Sequence, residues 1–436
     1  MRRSRPSLAV RAALLAAVLL SASTQVATAQ EPRPSDTRRA PSEPDIAERT
    51  DPAVLSLVAE GLATDEAISQ MQVQVHAGRA DRDLPDRLRE FYGGLSIDHA
   101  DGASVMVGMT KMELASEVSE HFASYGVRIE VEQHQLTQVV LEDRSEELQQ
   151  QVIGDESIEI GIGEIGVITI RYVEEKLTEE AKSVLIAAAD DPDLFMVERV
   201  ASVAPASEEL CDWTGDIECD PPLRGSVRMN HPQTGPDPIC SAGFNAEGRT
   251  NGLPFVLSAG HCAEAINNWS TQFEDESSHV IGSFVNSIDN FGTDAGIILV
   301  NNPAPFPVGW SFGQPWVTVH PTPPHPANES YVITDVVDAA FGMRVCATLG
   351  NQARTDCGTV DNTNFMGEDT GDLFRVTGIC SRGGDSGSPY FSFNVAYGIH
   401  VAGDGYNGTN PTLCLWGAAE DAVEASGSMN VDIITN

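Results

Sequence analysis

Positive charge is scarce in this chain of 436 residues: it holds three lysines, Lys111, Lys176 and Lys182, and none beyond. Lys and Arg together number 26 against 64 Asp and Glu, a formal net charge of -38. That balance argues against nucleic acid as a partner, because neutralising phosphates takes Lys and Arg. It argues equally against an anionic membrane surface. Cysteine is missing before Cys211, and no two cysteines stand in tight C-x-x-C spacing, so structural zinc is not expected. The Asp and Glu clusters lack EF-hand spacing. Long apolar runs are also missing: Ala12–Leu20 falls short of the ~20 residues a bilayer-spanning helix needs. Neither a metal nor a cofactor is expected.

What is present is ordered along the chain. Arg2, Arg3, Arg5 and Arg11 precede the Ala12–Leu20 run, and Ala27-Thr28-Ala29 supplies a small-residue cleavage site. Residues 1–29 therefore read as a signal peptide cut after Ala29, and the product is expected outside the cell. Eight cysteines follow in the second half, Cys211, Cys219, Cys240, Cys262, Cys346, Cys357, Cys380 and Cys414. An even number fits four disulfides in an oxidising compartment. A hydrophobic content of 41% is enough for ordinary cores.

Residues 30–49, rich in Pro, Ser and charge, read as a linker. Residues 50–204 hold no cysteine and alternate helix and strand patterns. Helices are expected near Pro52–Ala59 and Asp65–Phe91. Thr110-Lys111-Met112-Glu113 reads as a capping box opening a helix to Ser124, ended by Gly126. Val127–Val131 alternates like a half-buried strand. The order then returns: Gly166–Tyr172 strand-like, a helix from Thr178 to about Ala189, and Phe195–Val203 strand-like. These are two small α/β units, and neither assembles catalytic chemistry.

Residues 205–436 differ in character, with all the cysteines and many Gly/Asn/Asp turns. Short β-type runs lie at Phe255–Ser258, Gly296–Val300, Trp316–His320, Tyr331–Val336 and Val395–His400. Their close spacing suits two small β-barrels. Only Gly417–Ala425 looks helical, with a short strand at Val431–Ile434 after it.

This half carries candidate groups for acyl transfer, which needs a nucleophile, a base, a group to orient the base, and donors for the oxyanion. Gly383-Gly384-Asp385-Ser386-Gly387-Ser388-Pro389 offers Ser386 as nucleophile. Its small neighbours let the N–H groups of Gly384 and Ser386 approach a substrate carbonyl. Leu257-Ser258-Ala259-Gly260-His261-Cys262 sets His261 at the end of an apolar strand, as base. Thr293-Asp294-Ala295-Gly296-Ile297 sets Asp294 before another, as the orienting acid. Alone, the histidine and the acid are ordinary turn residues; the order His, Asp, Ser gives them weight. An α/β-hydrolase runs Ser, acid, His and a subtilisin-type protease Asp, His, Ser. A silent β-barrel binding protein and an esterase remain alternatives, separated by reactivity of Ser386 and by peptide against ester turnover.

Pro222–Asn436 resembles the bacterial chymotrypsin-like serine proteases of the streptogrisin and α-lytic protease group. The resemblance rests on Cys240-Ser241-Ala242-Gly243-Phe244-Asn245 before the histidine turn and on the Cys346–Val360 loop ending Cys357-Gly358-Thr359-Val360. Cys380, six residues before Ser386, adds to it. It implies a fold of two six-stranded antiparallel β-barrels with the triad His261, Asp294 and Ser386 in the cleft between them. It implies the disulfides Cys240–Cys262, Cys346–Cys357 and Cys380–Cys414, leaving Cys211–Cys219 as the fourth. Residues 50–204, with Phe91-Tyr92-Gly93-Gly94, are similar to the group's α/β pro-regions. That implies an inactive precursor whose own pro-region assists folding and inhibits. The expected partners are polypeptide substrates and that pro-region, and the expected state is a monomer.

Two departures from the group's pattern matter. The arginine often found after the first cysteine of the small loop is Ala347 here, so Asp385 must find another charge partner, Arg344 or a newly made N-terminal amine. The usual double glycine after the serine is Gly387-Ser388. By position, Ser381, Arg382, Gly383, His400, Val401, Ala402 and Gly403 should line the pocket for the side chain before the scissile bond. No acid stands where a trypsin-like enzyme has one. A small or medium apolar preference is expected; His400, which aligns with a histidine of glutamate-specific relatives, and the nearby Arg382 make an acidic preference the alternative.

Overall fold

The computed structural model describes residues 46–152, 157–163, 166–174, 177–189, 194–199, 223–230, 239–264, 272–274, 280–290, 292–300, 314–319, 329–352, 354–366, 372–404 and 415–436. The signal peptide, most of the linker, the junction near residue 205 and Cys211, Cys219 and Cys414 lie outside these. The end of the linker is α1 (Ile46–Arg49), and α2 (Pro52–Ala59) follows at its expected bounds. Asp51 caps α2 by accepting from Ala53 N at 2.8 Å, with Pro52 at the first helical position where its missing N–H costs nothing. The expected Asp65–Phe91 helix is two, α3 (Thr64–Arg82) and α4 (Asp86–Arg89). Pro85 stands at the N-cap of the second.

The two α/β units share one order. In the first, β1 (Tyr92–Asp98) pairs antiparallel with β2 (Ser104–Met109), which pairs parallel with β3 (Ile129–Gln133) after α5 (Ala115–Ser124). The capping box expected at Thr110 does not form. Thr110 Oγ donates instead to Phe91 O at 3.3 Å, and a 3₁₀ turn, Met112–Leu114, precedes α5. Gly126, at φ +81°, ends that helix. After α6 (Gln138–Gln149), the second unit repeats the pattern with β4 (Ile158–Ile162), β5 (Ile168–Tyr172), α7 (Glu179–Ala189) and β6 (Phe195–Arg199). Thr178 Oγ caps α7 at 3.1 Å from Ala181 N.

The C-terminal half is built of strands. β7 (Arg228–Asn230), β8 (Ile239–Ser241), β9 (Phe244–Gly248), β10 (Pro254–Ser258), β11 (Gln272–Glu274), β12 (Val280–Asn290) and β13 (Thr293–Val300) form one sheet with the last strand of the chain. The short helix α8 (His261–Glu264) follows β10. β14 (Trp316–Val319) and β15 (Glu329–Val332) make a two-stranded ladder. Then come β16 (Asp335–Val336), β17 (Arg344–Leu349), β18 (Arg354–Phe365), β19 (Leu373–Thr377), β20 (Pro389–Ser392), β21 (Val395–Gly403) and β22 (Trp416–Asp421). In this second sheet β21 pairs with both β20 and β22, so the order β21-β20-β17-β18-β19-β22 closes on itself as a six-stranded barrel. The first sheet runs β23-β9-β10-β13-β12-β11-β7-β8, and its described pairings do not close a ring. The helix expected at Gly417–Ala425 is corrected: Trp416–Asp421 is β22, and α9 (Ala422–Met429) starts after it, capped by Asp421, before β23 (Val431–Ile433). The Ala-rich stretch reads helical by propensity, but burial of consecutive Ala418 and Ala419 between β19 and β21 decides for strand.

The N-terminal region does not stand apart. Val75, Ala80, Tyr92, Val105, Val107 and Phe122 share one buried cluster with Val345, Tyr390 and Tyr397 of the closed barrel and with Val337 and Met343 just before β17. Phe341 of the C-terminal half accepts from Ile97 N in β1 at 2.9 Å. No helix among the described residues is long and apolar enough to cross a membrane.

Candidate active site

β10 carries Phe255–Leu257 into the buried face of the first sheet and is followed by the turn Ala259-Gly260. A Cβ at Gly260 would fall 1.9 Å from Ile288 O, so only glycine lets this turn lie against β12. His261 opens α8, and its neighbour Cys262 is bonded to Cys240 of β8, which ties the turn to the sheet. Asp294 is the second residue of β13 and is 1% exposed. Both of its oxygens face the turn. Oδ1 accepts the N–H groups of Gly260 and His261, the latter at 2.9 Å, and Oδ2 lies 2.6 Å from His261 Nδ1. A carboxylate at Nδ1 fixes the proton there and leaves Nε2 as the basic nitrogen. The His261 side chain is about a third exposed, so the imidazole is reachable.

Ser386 stands in the loop between β19 and β20, partly exposed. The loop is pinned to the first sheet: Ser241 N donates to Ser386 O at 2.7 Å, and Ser241 Oγ donates to Gly384 O at 2.9 Å. Gly387, at φ +89°, donates to His400 O at 2.7 Å. A Cβ on Gly387 would fall 2.2 Å from both Ser241 O and Ser258 Oγ. These bonds bring Ser386 beside the histidine turn, with Cys262 Sγ 4.0 Å from Ser386 O. Among the described residues the N–H groups of Gly384 and Ser386 donate no hydrogen bond. That is the condition required of oxyanion donors.

Asp385 is fully buried, and its partner is not Arg344. Its Oδ1 accepts from Asn351 N at 3.0 Å, and its Oδ2 accepts from Gln352 Nε2 at 2.6 Å and Arg382 N at 2.8 Å. Neutral donors thus stand where a cation was expected, and burial pushes the carboxyl up to about 6 against them. Arg344 turns the other way, to Glu60 at 2.5 Å and Ser56 Oγ at 2.9 Å in the N-terminal region. Ser388, in place of a second glycine, is buried and accepts from Gly350 N at 2.9 Å.

The pocket candidates lie on two segments, the loop before Ser386 and the end of β21. Ser381 and Gly403 are both buried, and a Cβ on Gly403 would fall 1.8 Å from Ser381 Oγ. Gly383 is exposed, Arg382 partly so, and Val401 and Ala402 pack on Phe365, Leu373 and Ala418. His400 is buried, and its Nδ1 lies 3.0 Å from Tyr390 Oη with the two rings stacked. Burial first, and then the nearby His261, push His400 down to about 3, so it is neutral at ordinary pH. Cys346 is bonded to Cys357; Cys380 is disulfide-bonded, and its expected partner Cys414 lies outside the described residues. Ser241 and Ser258 lie within the motifs quoted above, whereas Asn351, Gln352, Tyr390, and Glu420, which sits behind Asp294, carry no motif in the sequence.

No family model matches the chain. Serine protease 1 of Streptomyces fradiae is 31% identical over 176 residues, 39% of this chain and 43% of that protein. Glutamyl endopeptidase 2 of Streptomyces griseus is 29% identical over 174 residues, covering 39% of this chain and 81% of its own length. The matched stretch, about two fifths of the chain, is similar in sequence to Streptomyces serine proteases. It spans less than half of the first of these relatives, 43%. Among solved structures, Thermobifida fusca protease A aligns with 49% of this chain and 98% of its own at 21% identity, with a TM-score of 0.38.

Proposed function

We propose that the chain is the precursor of a secreted serine endopeptidase. The observation that carries this is the His261 Nδ1 to Asp294 Oδ2 contact of 2.6 Å in a turn packed against the Ser386 loop. Ser386 Oγ attacks the scissile carbonyl while His261 Nε2 takes its proton. The C–N bond then breaks, and the amine leaves with that proton. Water, deprotonated by the same nitrogen, hydrolyses the acyl ester and frees Ser386. Asp294 holds the imidazole and stabilises its charged form. The N–H groups of Gly384 and Ser386 receive the oxyanion, where one such donor is typically worth about 3–4 kcal/mol. Replacing Ser386 by Ala should abolish hydrolysis of a peptide substrate while leaving secretion intact; activity retained in that variant would overturn the reading.

Residues 50–204 act in this reading as a folding-assisting, inhibitory pro-region, and residues 205–436 as the mature enzyme. The support is the cluster that the N-terminal helices and β1–β2 share with the closed barrel. Gln74 adds to it: fully buried in α3, it bonds Arg344 N and O, Ser392 and Tyr397. β-rich folds with non-local pairing fold slowly, so a template has physical use. Ala206–Asn436 expressed alone should give inactive material, rescued by adding residues 50–204 in trans. A small or medium apolar side chain before the scissile bond is the favoured preference, given Val401, Ala402 and Gly383 on those two segments. An acidic preference is the second reading, favoured by His400 and Arg382 and by the name of the glutamyl relative. Profiling a peptide library separates them.

A further inference from the structure

Glu420 on β22 is fully buried, and it is aimed at the backbone of Asp294: its Oε2 accepts Asp294 N–H at 3.1 Å. Its other oxygen, Oε1, is buried and has no hydrogen-bond partner among the described residues. The strands on either side place Leu373 and Ile399 opposite it. The titratable groups that act on it are acids: Asp294 on β13, Asp372 just before β19 and Glu424 on α9. Glu424 in turn bonds Thr293, next to Asp294. His261 joins the cluster through Asp294, and the neutral His400 lies next along β21. A carboxylate in such surroundings faces like charges and no water, whereas a carboxylic acid is a neutral acceptor of the right length.

We infer that Glu420 is a positioning residue for the His261–Asp294 pair: its buried carboxyl accepts the Asp294 N–H and holds the start of β13 against the histidine turn. The inference rests on the protease reading above. Burial pushes Glu420 up to about 9 against the Asp294 N–H bond, which lowers it, with Glu424, Asp294 and Asp372 adding to the rise, so the clamp is neutral at ordinary pH.

The test is the kcat and KM at pH 7 of the secreted enzyme carrying Glu420→Gln or Glu420→Ala, beside wild type and Ser386→Ala. Gln keeps the acceptor and cannot ionise. E420Q should match wild-type kcat and KM at pH 7. E420A should lose kcat about tenfold with KM unchanged, the loss of roughly one ordinary hydrogen bond. The inference is overturned if E420Q loses as much activity at pH 7 as E420A, or if it fails to fold. A wild-type enzyme without activity that S386A removes sinks the protease reading itself. Activity with normal kcat and KM in both Glu420 variants sinks only the clamp.

Discussion

The two α/β units of the N-terminal region have the same strand–strand–helix–strand order and join the rest of the molecule in opposite ways. The first merges its core with the closed barrel, so that Val105, Val107 and Phe122 share a cluster with Val337, Met343 and Tyr397. The second keeps a core of its own, Ile160, Ile170, Val184 and their neighbours, and meets the barrel where β4 lies against β18. There the contact is ionic: Arg171 and Arg375 share Glu159 and Asp361. Apolar merging is insensitive to pH and intolerant of shape change. Buried ion pairs tolerate shape but not the loss of one partner. An N-terminal region built this way has one attachment that ignores pH and one that depends on it.

The largest effect should come from Arg375, which is 4% exposed in its side chain. Arg375→Met leaves Glu159 and Asp361 with one cation fewer and should cost about 3–5 kcal/mol at pH 8, measured by denaturant unfolding of the S386A precursor. Burial pushes both acids up to about 7, so the same variant should lose much less at pH 5, where they are neutral. Next comes Gly342, at φ +82°, where a Cβ would fall 1.7 Å from Ile97 O. Gly342→Ala should part β1 from Phe341 and cost about 2–3 kcal/mol, with no dependence on pH. Asp51→Ala removes the cap of α2 and the acceptor of Phe393 N, at 3.0 Å, and should cost about 1–2 kcal/mol.

The gentlest probe is pH itself. Between the N-terminal region and the barrel lies a cavity of about 260 Å³ lined by Asp81, Glu142, Asp338, Asp372, Asp421 and Glu424. Burial raises Asp81 to about 6 and Glu142 and Glu424 to about 7, and raises Asp421, which shares a hydrogen bond with Asp338. Carboxyls raised in the folded state bind protons more tightly than in the unfolded chain. Their contribution is therefore fully present below the ordinary carboxyl range near 4 and is lost as pH rises through 6–7. The melting temperature of the S386A precursor should fall steadily from pH 5 to pH 8; a rise across that range would remove the account of the acidic interface.

Much of this was legible from the residues, and the misses have physical causes. Chain order singles out His261, Asp294 and Ser386, because small residues around a nucleophile and an acid before an apolar strand leave local marks, and the structure brings the first two into contact. The α/β repeat was visible because periodicity changes between helix and strand. The strand at Trp416–Asp421 was read as helix because alanine favours helices locally and only the neighbouring strands reverse that choice. Glu420 was hidden with it. The neutral cradle of Asp385 by Asn351 and Gln352 was hidden too, since these residues approach it only through the turn after β17. Long-range partners of buried charges carry no signature at their own positions.

Mass spectrometry of the processed enzyme after treatment with a fluorophosphonate tests the central claim most directly. The account predicts a single adduct on Ser386, formed fast in wild type, slowed by orders of magnitude in His261→Ala and absent in Ser386→Ala. Labelling of Ser386 that proceeds at the wild-type rate without His261, or no adduct at all on a folded and processed chain, would contradict it.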